Sequence, residues 1–384
     1  METVIRLLPN PGKSFFLFGP RGTGKSTWVK TVYKDALSID LLSPEPFRNY
    51  SANPERLIEA IEGDHARKTI VLDEIQRVPA LLDVVHELIE KKRGYQFVMT
   101  GSSPRKLKRH GVNLLAGRAA VRTLHPFMAA ELGGSFDFKR ALRYGLLPLV
   151  WESSDSEDAL KAYIALYLRE EIQIEGLVRN VGNFSRFLEA ISFSHASVFN
   201  LSNVARECQV ERKTVEGYVK ILEDLLLAFF LPVFSKRAKR QLSSHNKFYM
   251  FDAGVYRFLR PQGHLDHPQE IEGLALEGLV YQHLRAWNAY SGDKNALSFW
   301  RTRSGVEVDF IVYGPDEFRA IEVKNSSRVR DEYLRGLISF KQDYPECETM
   351  FLYRGRERLK KNGVLCLPCE EFLRQLKPGA LWRN

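Results

Sequence analysis

Gly19-Pro20-Arg21-Gly22-Thr23-Gly24-Lys25-Ser26 satisfies in full the spacing of a phosphate-binding loop. Its glycines let successive backbone N–H groups turn inward around phosphate oxygens. A helix beginning there adds the positive end of its dipole. In such a loop Lys25 neutralises β- and γ-phosphate charge and the Ser26 hydroxyl ligates Mg²⁺. Thr27 lies on the same first helical turn and joins the nucleotide-binding set. Downstream, the apolar run Thr69-Ile70-Val71-Leu72 ends in Asp73-Glu74. A strand there delivers Asp73 to a sheet edge, where it holds the Mg²⁺ hydration shell. Glu74 is then set to polarise an attacking water, which is the chemistry of hydrolysis rather than of binding alone. ATP and Mg²⁺ are the expected cofactors. A later apolar run closes at Thr100-Gly101-Ser102, where a hydroxyl, Ser102 in particular, can sense the γ-phosphate; turn chemistry accounts for these residues equally well.

These groups need a parallel α/β sheet to hold them. Strands are predicted at Ser14–Phe18, Leu37–Asp40, Thr69–Leu72 and Tyr95–Thr100, with helices from about Lys25 and over Ala80–Lys92. From about Met128 the pattern turns helical. Residues 184–260 read as helices followed by a hairpin. Residues 270–384 mix a helix, Ile271–Ala289, with strands Leu297–Arg301, Val306–Tyr313 and Phe318–Val323.

The phosphate loop, Asp73-Glu74-Ile75-Gln76-Arg77-Val78-Pro79 and Thr100-Gly101-Ser102-Ser103 together resemble the AAA-superfamily ATPases of bacteria and archaea whose second half is a domain of unknown function. The resemblance extends through Leu115–Arg118, Tyr144–Pro148, Lys247–Gly254 and Glu307–Phe310, and so covers most of the chain. It implies an α/β fold with a P-loop AAA-type core (1–128), a helical lid (129–183), a winged helix (184–260) and a restriction-endonuclease-like α/β module (261–384). It also makes Arg118 a candidate arginine finger reaching a neighbouring subunit's nucleotide, with a surface Arg as the alternative. A homo-oligomer follows, a hexameric ring among its forms.

Asn200–Ala205 through Val215–Leu222 reads as a helix-turn-helix, with Val204, Ala205, Cys208, Val215, Val219 and Leu222 facing a core. Arg212 and Lys213 then stand at the N-terminal end of the recognition helix, where such modules meet DNA. The hairpin that follows carries Lys236, Arg237, Lys239 and Arg240 at its tip, suited to phosphate contacts. A winged helix used only for packing, with a solvated basic loop, is the other reading. Glu277 on a helix, Asp309 on a strand and Glu322-Val323-Lys324 on the next strand resemble a restriction-endonuclease site, where carboxylates gather Mg²⁺ and a Lys supports the attacking water. Acids on strands also commonly face solvent.

Composition sets the outer limits. The 384 residues carry a net charge of +9, with 44% hydrophobic and 27% charged residues, which excludes a wholly disordered chain. Residues 91–122 hold nine basic and no acidic residues, and this equals the whole excess. Arg105, Lys106, Lys108 and Arg109 in that stretch are candidate polyanion contacts. The longest apolar run, Leu225–Phe234, is interrupted by Pro232 and is about half a membrane helix. Four cysteines are too few for a disulfide framework; Cys366-Leu-Pro-Cys369 is a lone CxxC without a nearby His. A cytoplasmic protein with no membrane partner is expected. The function expected is an ATP-driven motor or remodeller acting on duplex or branched DNA. The alternatives are an ATP-gated metal-dependent nuclease and a signalling or scaffold ATPase with protein partners.

Overall fold

The computed structural model describes residues 4–379 except 65, 106, 108–113, 169–179, 237, 239 and 244. The chain divides into two compact units: residues 8–125 with 224–226, and residues 1–7, 126–223 and 227–384. The helical, winged-helix and C-terminal stretches separated in the sequence thus share one unit.

The first unit is built on β1 (Phe15–Phe18), α1 (Lys25–Val32), β2 (Leu37–Asp40), α2 (Pro44–Ala52), α3 (Arg56–Gly63), β3 (Thr69–Asp73), α4 (Leu81–Glu90), β4 (Gln96–Thr100) and β5 (Ala120–Thr123). Its described strands form one sheet in the order β2-β3-β4-β1-β5, with each neighbouring pair parallel. Strands β1, β3 and β4 are almost wholly buried, as near-continuous apolar runs in a covered parallel sheet must be. Helix α4 forms because Leu81, Leu82, Val84, Val85 and Leu88 recur at helical spacing; all are buried against Phe16, Phe18, Ile70 and Leu72. Burying each such side chain contributes about 1.5–3 kcal/mol. Strand β5 escaped the sequence reading: Ala120-Val121-Arg122-Thr123 is a half-buried edge strand, so its apolar signal is weak.

The second unit contains α5 (Phe138–Tyr144) and α6 (Ser156–Ala162), each started by an Asp whose carboxylate accepts backbone N–H bonds, Asp137 and Asp155. Next come α7 (Val181–Ser192), β6 (Ser197–Val198), α8 (Leu201–Cys208), α9 (Arg212–Asp224), β7 (Ala228–Leu231) and β8 (Lys247–Met250). Asn200 caps α8, accepting from the Asn203 N–H at 3.1 Å. Gln209, at φ 55°, turns the chain into α9. Val204, Ala205, Cys208, Val215, Val219 and Leu222 are all buried, so both helices present the expected faces. Strand β8 is central in a three-stranded sheet of order β6-β8-β7.

Helices α10 (Ala253–Leu259) and α11 (Pro268–Tyr290) lead to a six-stranded mixed sheet. Its members are β9 (Ala296–Arg301), β10 (Glu307–Tyr313), β11 (Phe318–Val323), β12 (Glu348–Tyr353), β13 (Leu359–Lys361) and β14 (Val364–Pro368), in the order β13-β14-β12-β11-β10-β9. Two stretches of the resemblance meet here. Asp252 caps α10 through Gly254 N and Val255 N, and also accepts from Leu146 N at 2.8 Å. A Cβ on Gly145, at φ 77°, would lie 1.9 Å from that carboxylate, so only glycine fits. Burial pushes the Asp252 carboxyl up to about 6.

Among the described residues, no helix is long and apolar enough to cross a membrane. All four cysteines are buried thiols, and burial raises the pKa of each.

Candidate functional site

The phosphate loop leaves β1 at Phe18. Gly19 passes so close to the neighbouring chain that an added Cβ would stand 2.4 Å from the Leu124 carbonyl oxygen. The Thr23 hydroxyl closes the loop on itself, donating to the Pro20 carbonyl at 2.8 Å. Gly24, at φ 84°, enters α1, whose first N–H groups have no partners within the helix. Lys25 is buried and its Nζ donates to the carbonyls of Gly19 at 2.8 Å and Pro20 at 3.2 Å. Ser26, Gly22 and Gly24 are partly exposed, and Arg21 and Thr27 are exposed. Behind the loop, Trp28 packs edge-on against Phe15 and Tyr33, which fixes α1 to β1.

Strand β4 lies between β1 and β3, so the loop, Thr100 and Asp73 share the C-terminal edge of the sheet. Thr100 is wholly buried; its hydroxyl donates to Asp73 Oδ1 and accepts the Glu74 N–H at 3.1 Å. Glu74 sits at φ 60°, ψ 48°, a left-handed conformation that turns its carboxylate out of line with the strand. The buried Gln76 side chain donates to Glu74 Oε2. Thr100 and Gln76 therefore position the carboxylate pair, a role the sequence reading did not give them; both sit inside stretches it quoted. Ser102 is buried just past β4.

Arg118 lies at the other edge. Strand β5 pairs with β1 in the register Phe15↔Ala120 and Phe18↔Thr123, so Arg118 precedes the N-terminal end of β5, away from the loop after Phe18. Its guanidinium pairs with Glu90 at the end of α4 and holds that exposed carboxyl below its ordinary range. The acid-free stretch is compensated from outside itself. Lys91 pairs with Glu87, Arg93 with Glu62 at 2.9 Å, and Arg105 with Asp224 at 3.1 Å. Lys106, Lys108 and Arg109 lie outside the described residues.

The described residues flanking the basic run lie against the C-terminal sheet. Phe234 is buried in the apolar core of the C-terminal sheet, and its N–H donates to the Phe299 carbonyl at 2.6 Å. Ser243 N and Gln241 O bond to β9 and its turn at Arg301 and Arg303. Lys236 lies 4.2 Å from the Tyr313 ring centre, and Arg240 pairs with Asp343 at 2.8 Å. The physical reason is the apolar Leu231–Phe234 run, which draws the following residues along the sheet. Arg237 and Lys239 lie outside the described residues. Arg212 and Lys213 are exposed at the start of α9, as expected, with Arg212 3.6 Å from Glu216.

Glu277, Asp309 and Glu322 do come together, around a residue that the sequence reading gave no role. Lys247, from β8, is buried with its Nζ 3.0 Å from Glu277 Oε1 and 3.2 Å from Asp309 Oδ1, and it also contacts Glu307. Tyr249 donates to Glu277 Oε1 at 2.6 Å, and Val323 N to Asp309 Oδ2 at 2.9 Å. Extending the β10–β11 register by one residue puts Asp309 opposite Glu322, whose Oε1 is 2.9 Å from Lys324 Nζ. Burial alone would lower the Lys247 pKa; Glu277, Asp309 and Glu307 raise it well above its ordinary value. Burial and the Asp309 charge raise both Glu277 and Glu322. Among the described residues, no group of three or more His, Cys, Asp or Glu side chains is arranged to hold a metal ion.

Residues 12–133 match the family model described as AAA domain. The chain carries an AAA domain. Two matches follow, each described as a domain of unknown function: DUF8612 over residues 135–266 and DUF4143 over residues 272–372. An AAA domain is thus followed by two domains of unknown function, the order that the resemblance implied. No curated protein matches it. Among solved structures, it is similar to the Aeropyrum pernix Orc1 protein in complex with DNA (16% identity, 64% of this chain and 86% of that one, TM-score 0.26). It is also similar to the replication initiator DnaA bound to AMPPCP and single-stranded DNA (14% identity, 56% and 83%, TM-score 0.26). A third is protein VC1899 from Vibrio cholerae (11% identity, 96% and 97%, TM-score 0.24).

Proposed function

We propose that the AAA domain hydrolyses ATP with Mg²⁺ and that turnover is coupled to duplex or branched DNA. The observation carrying the hydrolytic reading is Thr100, which ties Asp73 and Glu74 together on the strand beside the phosphate loop. Lys25 would exchange its loop carbonyls for phosphate oxygens. Ser26 and Asp73 would hold Mg²⁺, whose charge would offset that developing on the transferred group. Glu74 would accept a proton from, or orient, the attacking water. To serve as a finger toward the nucleotide of a second copy, Arg118 would first have to leave Glu90.

For DNA, the support is the exposed Arg212 and Lys213 at the start of α9. The hairpin flanks held at the C-terminal sheet favour a second reading, in which this module packs within the unit and the ATPase answers to a protein partner. Phosphate release from Mg-ATP, measured with and without duplex DNA at two salt concentrations, separates them. Stimulation that falls with salt and is lost in the Arg212→Ala/Lys213→Ala variant supports DNA coupling. Turnover indifferent to DNA supports the protein-partner reading. No Mg-ATP turnover at all rejects the hydrolytic proposal.

A further inference from the structure

Strand β8 brings Lys247 to Glu277 on α11 and to Glu307 and Asp309 on β10, pairs separated by 30 to 62 residues in the chain. We infer that Lys247 is the resident cation of the C-terminal carboxylate cluster, so that a divalent metal ion and a seated β8 strand exclude one another there. An ammonium has three N–H donors and no acceptor, and three carboxylates meet it. A divalent ion would take the same oxygens at about 2.0–2.6 Å. Two cations cannot share that point.

The lysine is not placed to swing aside. Its backbone pairs with Val198 on one side and Leu231 on the other, in the middle strand of its sheet. Phe248 and Tyr249, which follow it, are wholly buried. Beyond the ammonium, Glu322 Oε2 is buried and has no hydrogen-bond partner. Glu322 itself is 6% exposed and faces Asp309 across the strands, so the cluster holds a further carboxylate oxygen that a second cation would engage once the lysine left. The arrangement is a cation site filled by the chain itself, and it joins the helix-turn-helix sheet to the C-terminal sheet within one unit.

The test is Mn²⁺ titration of the full-length, nucleotide-free chain, followed by calorimetry and by the electron paramagnetic resonance of free Mn²⁺. Wild type and Asp309→Asn should give the same isotherm, because no Asp309-dependent site is open. Lys247→Met should gain one Mn²⁺ site at least tenfold tighter than any in wild type, and Lys247→Met/Asp309→Asn should lose it. An Asp309-dependent Mn²⁺ site in wild type, or no gained site in folded Lys247→Met, overturns the inference. Should Lys247→Met fail to fold, the wild-type and Asp309→Asn isotherms decide alone: identity supports the inference and a difference rejects it.

Discussion

Lys25 and Lys247 are both buried, at 7% and 2% exposure, yet their surroundings set them to opposite uses. Lys25 donates to two carbonyls of its own loop, at 2.8 and 3.2 Å. Carbonyl dipoles can be exchanged for the full charge of a phosphate, so an arriving nucleotide wins that lysine readily. Lys247 sits among three carboxylates drawn from α11 and β10. Charge-assisted bonds of that kind are roughly twice as strong as neutral ones, and removing one partner strands the others. A buried lysine held by backbone dipoles is poised to bind something else, whereas one held by carboxylates is already bound.

The contrast can be broken at each lysine. Lys25→Ala should lower ATP turnover by about 100-fold or more, the scale on which removing one preorganised charge acts, while the thermal unfolding of the chain moves little. Lys247→Met should do the reverse. It should destabilise the second unit by about 3–5 kcal/mol in denaturant unfolding, with nucleotide binding by the AAA domain kept. Thr100→Val removes the hydroxyl between Asp73 and the Glu74 N–H. A cost of about 1–3 kcal/mol is expected from the unsatisfied groups, together with slower hydrolysis.

The smallest effect concerns pH. Glu277 and Glu322 have raised pKa values in the fold, so each binds its proton more tightly folded than unfolded. Their contribution to stability is present below the ordinary carboxylate range and is lost as pH rises through the raised values. Between the ordinary carboxylate range and the raised values of about 7 and about 8, these two groups should lower the wild-type unfolding midpoint as pH rises. Glu322→Gln should fall less steeply; equal slopes would mean that Glu322 titrates as it does in the unfolded chain.

The first unit was largely legible because its signals are contiguous. Gly19–Ser26 and Thr69–Glu74 each carry their chemistry within a few residues, and the buried strands around them read as unbroken apolar runs. Edge strand β5 was missed because half-burial leaves no such run. In the second unit, the acids Glu277, Asp309 and Glu322 were found, but their cation comes from a strand 62 residues before Asp309. Lys247 looks like any strand-end lysine until the fold closes. The flanks of the basic hairpin were hidden for a related reason: composition does not tell a solvated Lys236 or Arg240 from one held at a sheet. Phe234, just before the run, is buried among residues distant in the chain. Arg105, read as a polyanion contact, and Arg118, read as a finger candidate, meet Asp224 and Glu90 only once the fold brings these acids to them.

The central claim is that Glu74, held beside Asp73 by Thr100, activates water against a nucleotide bound at Gly19–Ser26. Wild type and Glu74→Gln should be compared for ATP affinity by equilibrium binding and for phosphate release under saturating Mg-ATP. The account predicts matching affinity, with phosphate release in Glu74→Gln slower by about 100-fold or more. Equal phosphate release from the two proteins would contradict it.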